Sequence, residues 1–239
     1  MIGSAIQIVE ETGSTNADLA ARAGAGEALE GQWLVARCQT AGRGRQGREW
    51  FDGSGNFMGS TLVELREGDP PPATLSFVAA LALYDAVAQT LPPSIQPMLK
   101  WPNDALLNGA KLSGILLELV GQQVVVGIGV NLSRAPQLAD RKTAAIADVA
   151  PAPDLEWFAQ QMAEAFAQRL ITWRQSGLAP VLSEFLACSM HKPGSPITVH
   201  DTDGSRVEGA FDGLEEIDGA LRLRLADGSQ RVIRAGDIL

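Results

Sequence analysis

The chain has 239 residues, 46% hydrophobic and 20% charged, and its 19 Lys and Arg against 28 Asp and Glu give a net charge of −9. Such a composition supports a sizeable core and excludes wholesale disorder, collagen and coiled coil. The acidic balance argues against a surface that grips duplex nucleic acid through phosphates, although a local basic loop can still hold a small anion.

Two cysteines, Cys38 and Cys188, and two histidines, His191 and His200, occur in the sequence. They have the spacing of neither a disulfide framework nor a metal site, so no metal ligands can be assigned. Cys38 lies in the apolar run WLVARC, which suits a buried, inert thiol. The N-terminus lacks the basic start and apolar stretch of a targeting signal. The longest apolar run, FVAALALY at 77–84, falls far short of the roughly 20 residues that span a bilayer. The expectation is a cytoplasmic protein without membrane contact.

In chain order, AIQIVEE reads as a short strand, and STNADLAARAG as a helix capped by Ser14 or Thr15 and stopped by Gly24. WLVARCQT is a buried strand that runs into AGRGRQGREWFDGSGN, a loop too rich in glycine for regular structure. NFMGSTLVEL is a strand, and the segment after three prolines, ending before Pro92-Pro93, is a helix. Asn108-Gly109 between apolar runs predicts a tight hairpin. VVVGIGVNL reads as a central strand, and helices are predicted over 154–174 and 178–188. Beyond about residue 190 short alternating strands surround three Asp-Gly turns, Asp203-Gly204, Asp218-Gly219 and Asp227-Gly228. The expected fold class is α+β: a mixed, largely antiparallel sheet flanked by helices over 1–190, and a small all-β barrel over 191–239.

Three clusters carry chemistry. Gly42-Arg43-Gly44-Arg45-Gln46-Gly47-Arg48 has the glycine spacing of a dinucleotide fingerprint, but neither the helix nor the distant acid of one. What it does offer is close backbone approach and guanidinium groups able to grip carboxylate or phosphate. As a solvated basic loop it would need no ligand. Lying between two core strands, however, a long loop is usually functional. In Lys100-Trp101-Pro102-Asn103-Asp104 and Lys111-Leu112-Ser113-Gly114, a snorkelling lysine and a plain Asn-Asp turn are the bland alternatives. In Gly127-Ile128-Gly129-Val130-Asn131, glycines within a strand signal either a bulge or the close approach of a ligand or another backbone.

STN at 14–16, QTAGRGRQGREW at 39–50, KWPNDALL at 100–107, KLSGILLE at 111–118 and VVVGIGVNL at 124–132 follow one another in the order found in the biotin protein ligases, which the chain closely resembles. The resemblance is strong over 1–185, and the tail is similar to that family's SH3-like C-terminal domain. It implies a catalytic domain of the class II synthetase type that joins biotin and ATP, with Mg²⁺, into biotinyl-5′-AMP. Biotin then passes to one lysine of a biotin carboxyl carrier protein. The resemblance places Lys100 and Arg45 in catalysis, and Ser14, Thr15, Asn16, Gln39, Gly42, Arg43, Gly44, Arg45, Lys100 and Gly114 around biotin. It gives Arg45, Arg48, Trp50, Asn103, Lys111 and Asn131 to ATP. The glycines of the loop 42–57 further predict that it is mobile until ligand arrives, with Arg43 and Arg45 gaining partners only then.

Gln46 stands where many relatives carry another basic residue, which lowers the loop's charge by one. Relatives that repress transcription carry an N-terminal helix-turn-helix, which is not seen here, so no operator DNA is expected as a partner. Monomer and homodimer both stay open. A lipoate-type ligase of the same fold and a non-enzymatic nucleotide-binding module are the alternatives; the Arg-rich block argues against the first.

Overall fold

The computed structural model describes residues 5–51, 54–201 and 205–238. Seven strands form one sheet: β1 (Ile6–Thr12), β2 (Trp33–Gln39), β3 (Phe57–Glu64), β4 (Met98–Lys100), β5 (Asp104–Leu107), β6 (Ala110–Val120) and β7 (Gln123–Val130). Their order is β1-β2-β3-β7-β6-β5-β4. Only β1 and β2 pair in parallel; the other neighbours are antiparallel. The parallel pair has a crossover helix, α1 (Thr15–Gly24), between its strands, as parallel neighbours require. The hairpin between β5 and β6 forms at Asn108-Gly109, both at positive φ, 50° and 77°, the geometry that favours Asn-Gly in two-residue turns.

Alternation along the central strands sends successive side chains to opposite faces. Val63, Val124, Val126, Ile128 and Val130 join the main core beneath α2 (Leu75–Ala88), α3 (Leu155–Ser176) and α4 (Leu178–Cys188). Leu62 and Val125 instead pack with Leu19, Ala23 and Ala28 in a separate small cluster against α1. That second face is covered only in part, which leaves room beside α1 for a site. Aromatic side chains fill the main core: Trp33 meets Phe166 edge-on at 5.7 Å and Phe57 meets Phe158 at 5.3 Å, offset geometries favourable to ring quadrupoles.

The tail forms a second sheet, with β8 (Pro196–Asp201), β9 (Arg206–Leu214), β10 (Leu221–Arg224), β11 (Gln230–Ile233) and β12 (Gly236–Ile238) in the order β11-β10-β9-β8-β12. All its pairings are antiparallel. Gly219 and Gly228 take positive φ at two of the expected Asp-Gly turns; Asp203-Gly204 lies outside the described residues. The two sheets meet closely. Met190 N donates to Leu99 O at 2.9 Å, and Trp101 Nε1 donates to Gly219 O at 3.1 Å. No described helix is long and apolar enough to cross a membrane.

Candidate active site

The partly covered face carries two polar groups joined by glycine. At one end, Ser14 is the N-cap of α1, its hydroxyl accepting from Ala17 N at 3.5 Å. The next residues turn inward. Thr15 N and Thr15 Oγ1 both donate to Gln39 Oε1, at 2.7 and 3.0 Å. Thr15 Oγ1 lies 2.7 Å from Ser60 Oγ, which donates to Asn16 Oδ1, and Asn16 Nδ2 donates to Glu118 Oε2. Thr15, Asn16, Gln39 and Ser60 are all buried. A buried polar chain fixes its members' orientation because each unmet bond would be costly. Ser60 and Glu118 were not found by sequence reasoning; a serine inside the apolar strand FMGSTLVE was the available signal.

Gly127 and Gly129 form the floor. A Cβ on Gly127 would run into the Asn16 amide, and one on Gly129 into the Trp50 indole. The close approach that these strand glycines signalled is therefore made, in this structure, by two side chains of the same molecule. Gly114 also lies under Trp50, its Cβ position 3.1 Å from Cζ3 and 3.6 Å from Lys111 Nζ. The structure thus groups Gly114 with Trp50 and Lys111 rather than with Thr15 and Gln39. Gly42 admits the approach of Trp50 O and Gln39 Nε2, at 2.9 and 3.0 Å from its Cβ position. Gly44 has no such neighbour closer than 3.6 Å, so sterics do not demand glycine there.

The loop itself is folded back on its own chain. Gly44 N donates to Arg48 O at 2.7 Å and Trp50 N to Gly42 O at 2.9 Å, around a turn in which Gln46 and Gly47 take φ of 58° and 72°. Arg45 Nη1 donates to Asn103 Oδ1 at 3.0 Å and to Asp237 Oδ1 at 3.2 Å, and Nη2 to Gly236 O at 3.3 Å. Arg48 Nη2 reaches Asp237 Oδ2 at 2.6 Å. The expectation that Arg45 has partners only with ligand present is therefore corrected: the last strand of the second sheet supplies them. Arg43 and Arg48 remain exposed, and Gly53 of the same loop lies outside the described residues.

At the other end, Asn131 is 2% exposed. Its Nδ2 donates to Ala144 O at 3.1 Å while its Oδ1 is buried without a partner, as is Trp50 Nε1. Unsatisfied buried polar atoms on these two residues call for an explanation, and a ligand is a natural one. Lys111 Nζ is 2.5 Å from Asp104 Oδ1, a partner that sequence reasoning did not assign. Asn103 donates Nδ2 to Ile115 O at 2.7 Å, so its oxygen is held in place for Arg45.

Lys100 faces this cluster. Burial is the largest influence and pulls its ammonium pKa below the ordinary lysine value; Asp104 and Asp237 oppose the shift, and Lys111 and Arg141 add to it. At Asp237 burial alone would raise the carboxyl, but Arg48, Arg45 and Lys111 more than offset it and hold the group below its usual range. A cavity of about 330 Å³ opens beside Arg45 and Asn103, walled by Phe77, Trp101, Ile115 and Leu117. That cavity lies on the α2 side of the sheet, with Phe77, Trp101 and Ile115 of the main core; on the other face the arrangement combines buried hydrogen-bonding groups, a glycine floor under Trp50 and converging cations. It can hold an anionic ligand against a flat ring system.

Residues 11–131 match the biotin/lipoate A/B protein ligase family, and residues 194–239 match the biotin protein ligase C-terminal domain. The biotin–[acetyl-CoA-carboxylase] ligase of Paracoccus denitrificans is 41% identical, over 97% of this chain and 98% of its own length. That of Mycobacterium tuberculosis is 37% identical, over 98% of this chain and 88% of its own. Among solved structures, a biotin protein ligase from Aquifex aeolicus in complex with biotin and ATP superposes with a TM-score of 0.85 at 23% identity, covering 98% of this chain and 97% of that one. The biotin protein ligase from Leishmania major in complex with biotinyl-5-AMP gives 0.68 at 27% identity, covering 97% and 99%. The chain therefore belongs to the biotin/lipoate A/B protein ligase family, as one of its biotin protein ligases.

Proposed function

We propose that this protein activates biotin with ATP to biotinyl-5′-AMP and transfers the biotin to a lysine on the carrier domain of a carboxylase. One observation carries the reading. The Trp50 indole, its buried Nε1 without a partner, lies over Gly129 and Gly114, and Lys111, whose Nζ is 3.6 Å from the Gly114 Cβ position, is one of the cations acting on Lys100, so an adenylate base and its phosphate would find a ring surface and positive charge within one site. The relatives' names supply the substrate class, and the C-terminal match favours biotin over lipoate.

In the first step the biotin carboxylate oxygen attacks the α-phosphorus, and the bond to the pyrophosphate oxygen breaks. Two anions must meet, so fixed positive charge both orients them and offsets charge in the transition state. This role is assigned to Lys100 and Arg45. Lys111 and Arg48 extend the cationic surface toward the nucleotide, although Asp104 and Asp237 already neutralise part of it. Arg43 at the loop's open edge adds a further guanidinium. Thr15, Asn16 and Gln39, aligned through Ser60 and Glu118, offer the donors and acceptors that a ureido ring needs, and Ser14 and Gly42 bring their backbone into range. In the second step the carrier lysine's neutral amine attacks the anhydride carbonyl, AMP leaves, and the amine's proton passes to solvent or a nearby base.

Mg²⁺ would enter on the triphosphate, where it would neutralise the leaving pyrophosphate. Among the described residues no cluster of three or more His, Cys, Asp or Glu is built to hold an ion. Asp104 and Asp237, the carboxylates facing Lys100, are the protein groups able to take a position on it. That donor set fits an ion held chiefly by phosphate oxygens and water. Residues 191–239 are proposed as a domain that supports the loop rather than one that supplies reacting groups.

ATP–pyrophosphate exchange tests the reading. Exchange should depend on biotin, and lipoate should not replace it. Exchange driven equally by lipoate, or independent of either acid, would overturn it.

A further inference from the structure

Asn56 stands between the glycine-rich loop and β3, fully buried, and its side chain makes no bond within its own strand. Asn56 Nδ2 donates to Arg134 O at 2.8 Å, and Oδ1 accepts from Ser133 N at 3.0 Å and Arg134 N at 3.1 Å. All three partners lie on the segment that leaves β7. Gly55, at φ +85°, lets the two backbones close up, since a Cβ there would stand 3.0 Å from Ser133 Cβ. The regular ladder begins only at the next residue, where Phe57 pairs with Val130.

The position of this tie matters. Six residues before Asn56 is Trp50, and two residues before Ser133 is Asn131, the two residues with buried, unpartnered polar atoms. The segment beyond Ser133 returns to the site as well. Lys111 N donates to Lys142 O and Ala144 N to Lys111 O, both at 2.9 Å. The glycine-rich loop on one side and the 131–144 segment on the other are therefore cross-linked at their roots by one amide. Each segment carries one wall of the nucleotide half.

We propose that Asn56 is a positioning residue for the nucleotide: it sets the spacing between Trp50 and Asn131, and hence the affinity for ATP, without touching either substrate. This rests on the reading of Trp50 and Asn131 given above. An amide suits the task because it donates once and accepts twice in one plane. Asp at this position keeps the two accepted bonds but sets a buried carboxylate oxygen against Arg134 O, where the amide had donated, whereas Ser is too short to keep the set.

The test measures three quantities for the full chain and for Asn56→Ser and Asn56→Asp. They are biotin affinity by calorimetry, the ATP KM in biotin-dependent exchange, and the melting temperature. Asn56→Ser should raise the ATP KM about tenfold, a size usual for coupling between neighbouring elements. Biotin affinity should stay within threefold of wild type in both variants, and Asn56→Asp should raise the ATP KM at least as much, because it turns the donated bond into a repulsion. An ATP KM within twofold of wild type in both variants would overturn the proposal. So would biotin and ATP affinities falling together in step with the melting temperature, or failure of both variants to fold, because each makes Asn56 a stability residue only. Absence of exchange in the wild-type protein would count against the ligase reading rather than against Asn56.

Discussion

Arg45 on the glycine-rich loop and Asp237 on the last strand lie 3.2 Å apart, although 192 positions separate them in the chain. Asp237 also takes Arg48 at 2.6 Å, so one carboxylate fastens two of the loop's three arginines. The second sheet thereby reaches the loop through a latch at Asp237.

Removing that latch should loosen the loop. Asp237→Asn should speed tryptic cleavage after Arg43, Arg45 or Arg48 several-fold in the free protein, and biotin plus ATP should slow the cleavage in both forms. Equal cleavage rates for variant and wild type would show that the loop is held by other means.

The same pair predicts an acid limit. The folded-state carboxyl of Asp237 titrates below its ordinary value of 3.8, so its contribution to stability is fully present above that pH and is lost as pH falls through the lower folded value. The gap in melting temperature between wild type and Asp237→Asn should stay constant from pH 7 to about 5. It should then close in stronger acid. A gap that widens on acidification would contradict the assignment.

Gly129 is a demanding position on the floor because any Cβ there meets the Trp50 ring. Gly129→Ala must displace the indole, and overpacking of this kind costs about 1–3 kcal/mol. The expected result in exchange assays is an ATP KM raised by about tenfold or more, with biotin binding by calorimetry changed much less. Loss of biotin affinity to the same extent would mean that Trp50 does not divide the two halves.

Lys100→Ala should leave the fold intact and remove adenylation. Losing one preorganised contact to developing charge typically lowers the rate by about 10²–10³. Exchange within threefold of wild type, with an unchanged circular dichroism spectrum, would remove Lys100 from the reaction.

Much of this was legible locally. The Asn108-Gly109 hairpin, the cap at Ser14 and the two long helices follow from turn chemistry and periodicity, which act over a few residues. The blocks containing Lys100, Lys111 and Asn131 were visible as glycines and charges placed inside apolar strands. What was not legible depends on pairing across the fold. Asp237 is an ordinary acid in an alternating strand, and nothing near it in sequence announces Arg45. Glu118 looks like the solvent-facing residue of its strand until Asn16 is seen above it. Gly127 and Gly129 signalled close approach but not what approaches, because Asn16 and Trp50 lie on other elements. Gly114 likewise gave no sign that Trp50 and Lys111 stand against it.

The most direct measurement follows labelled biotin into a purified biotin-carrier domain, with ATP present and absent, and with the acceptor lysine replaced by arginine in a parallel sample. The account predicts covalent label only when ATP and the lysine are both present, accompanied by release of one AMP and one pyrophosphate per biotin attached. Label that appears without ATP, or on the lysine-free carrier, would contradict it.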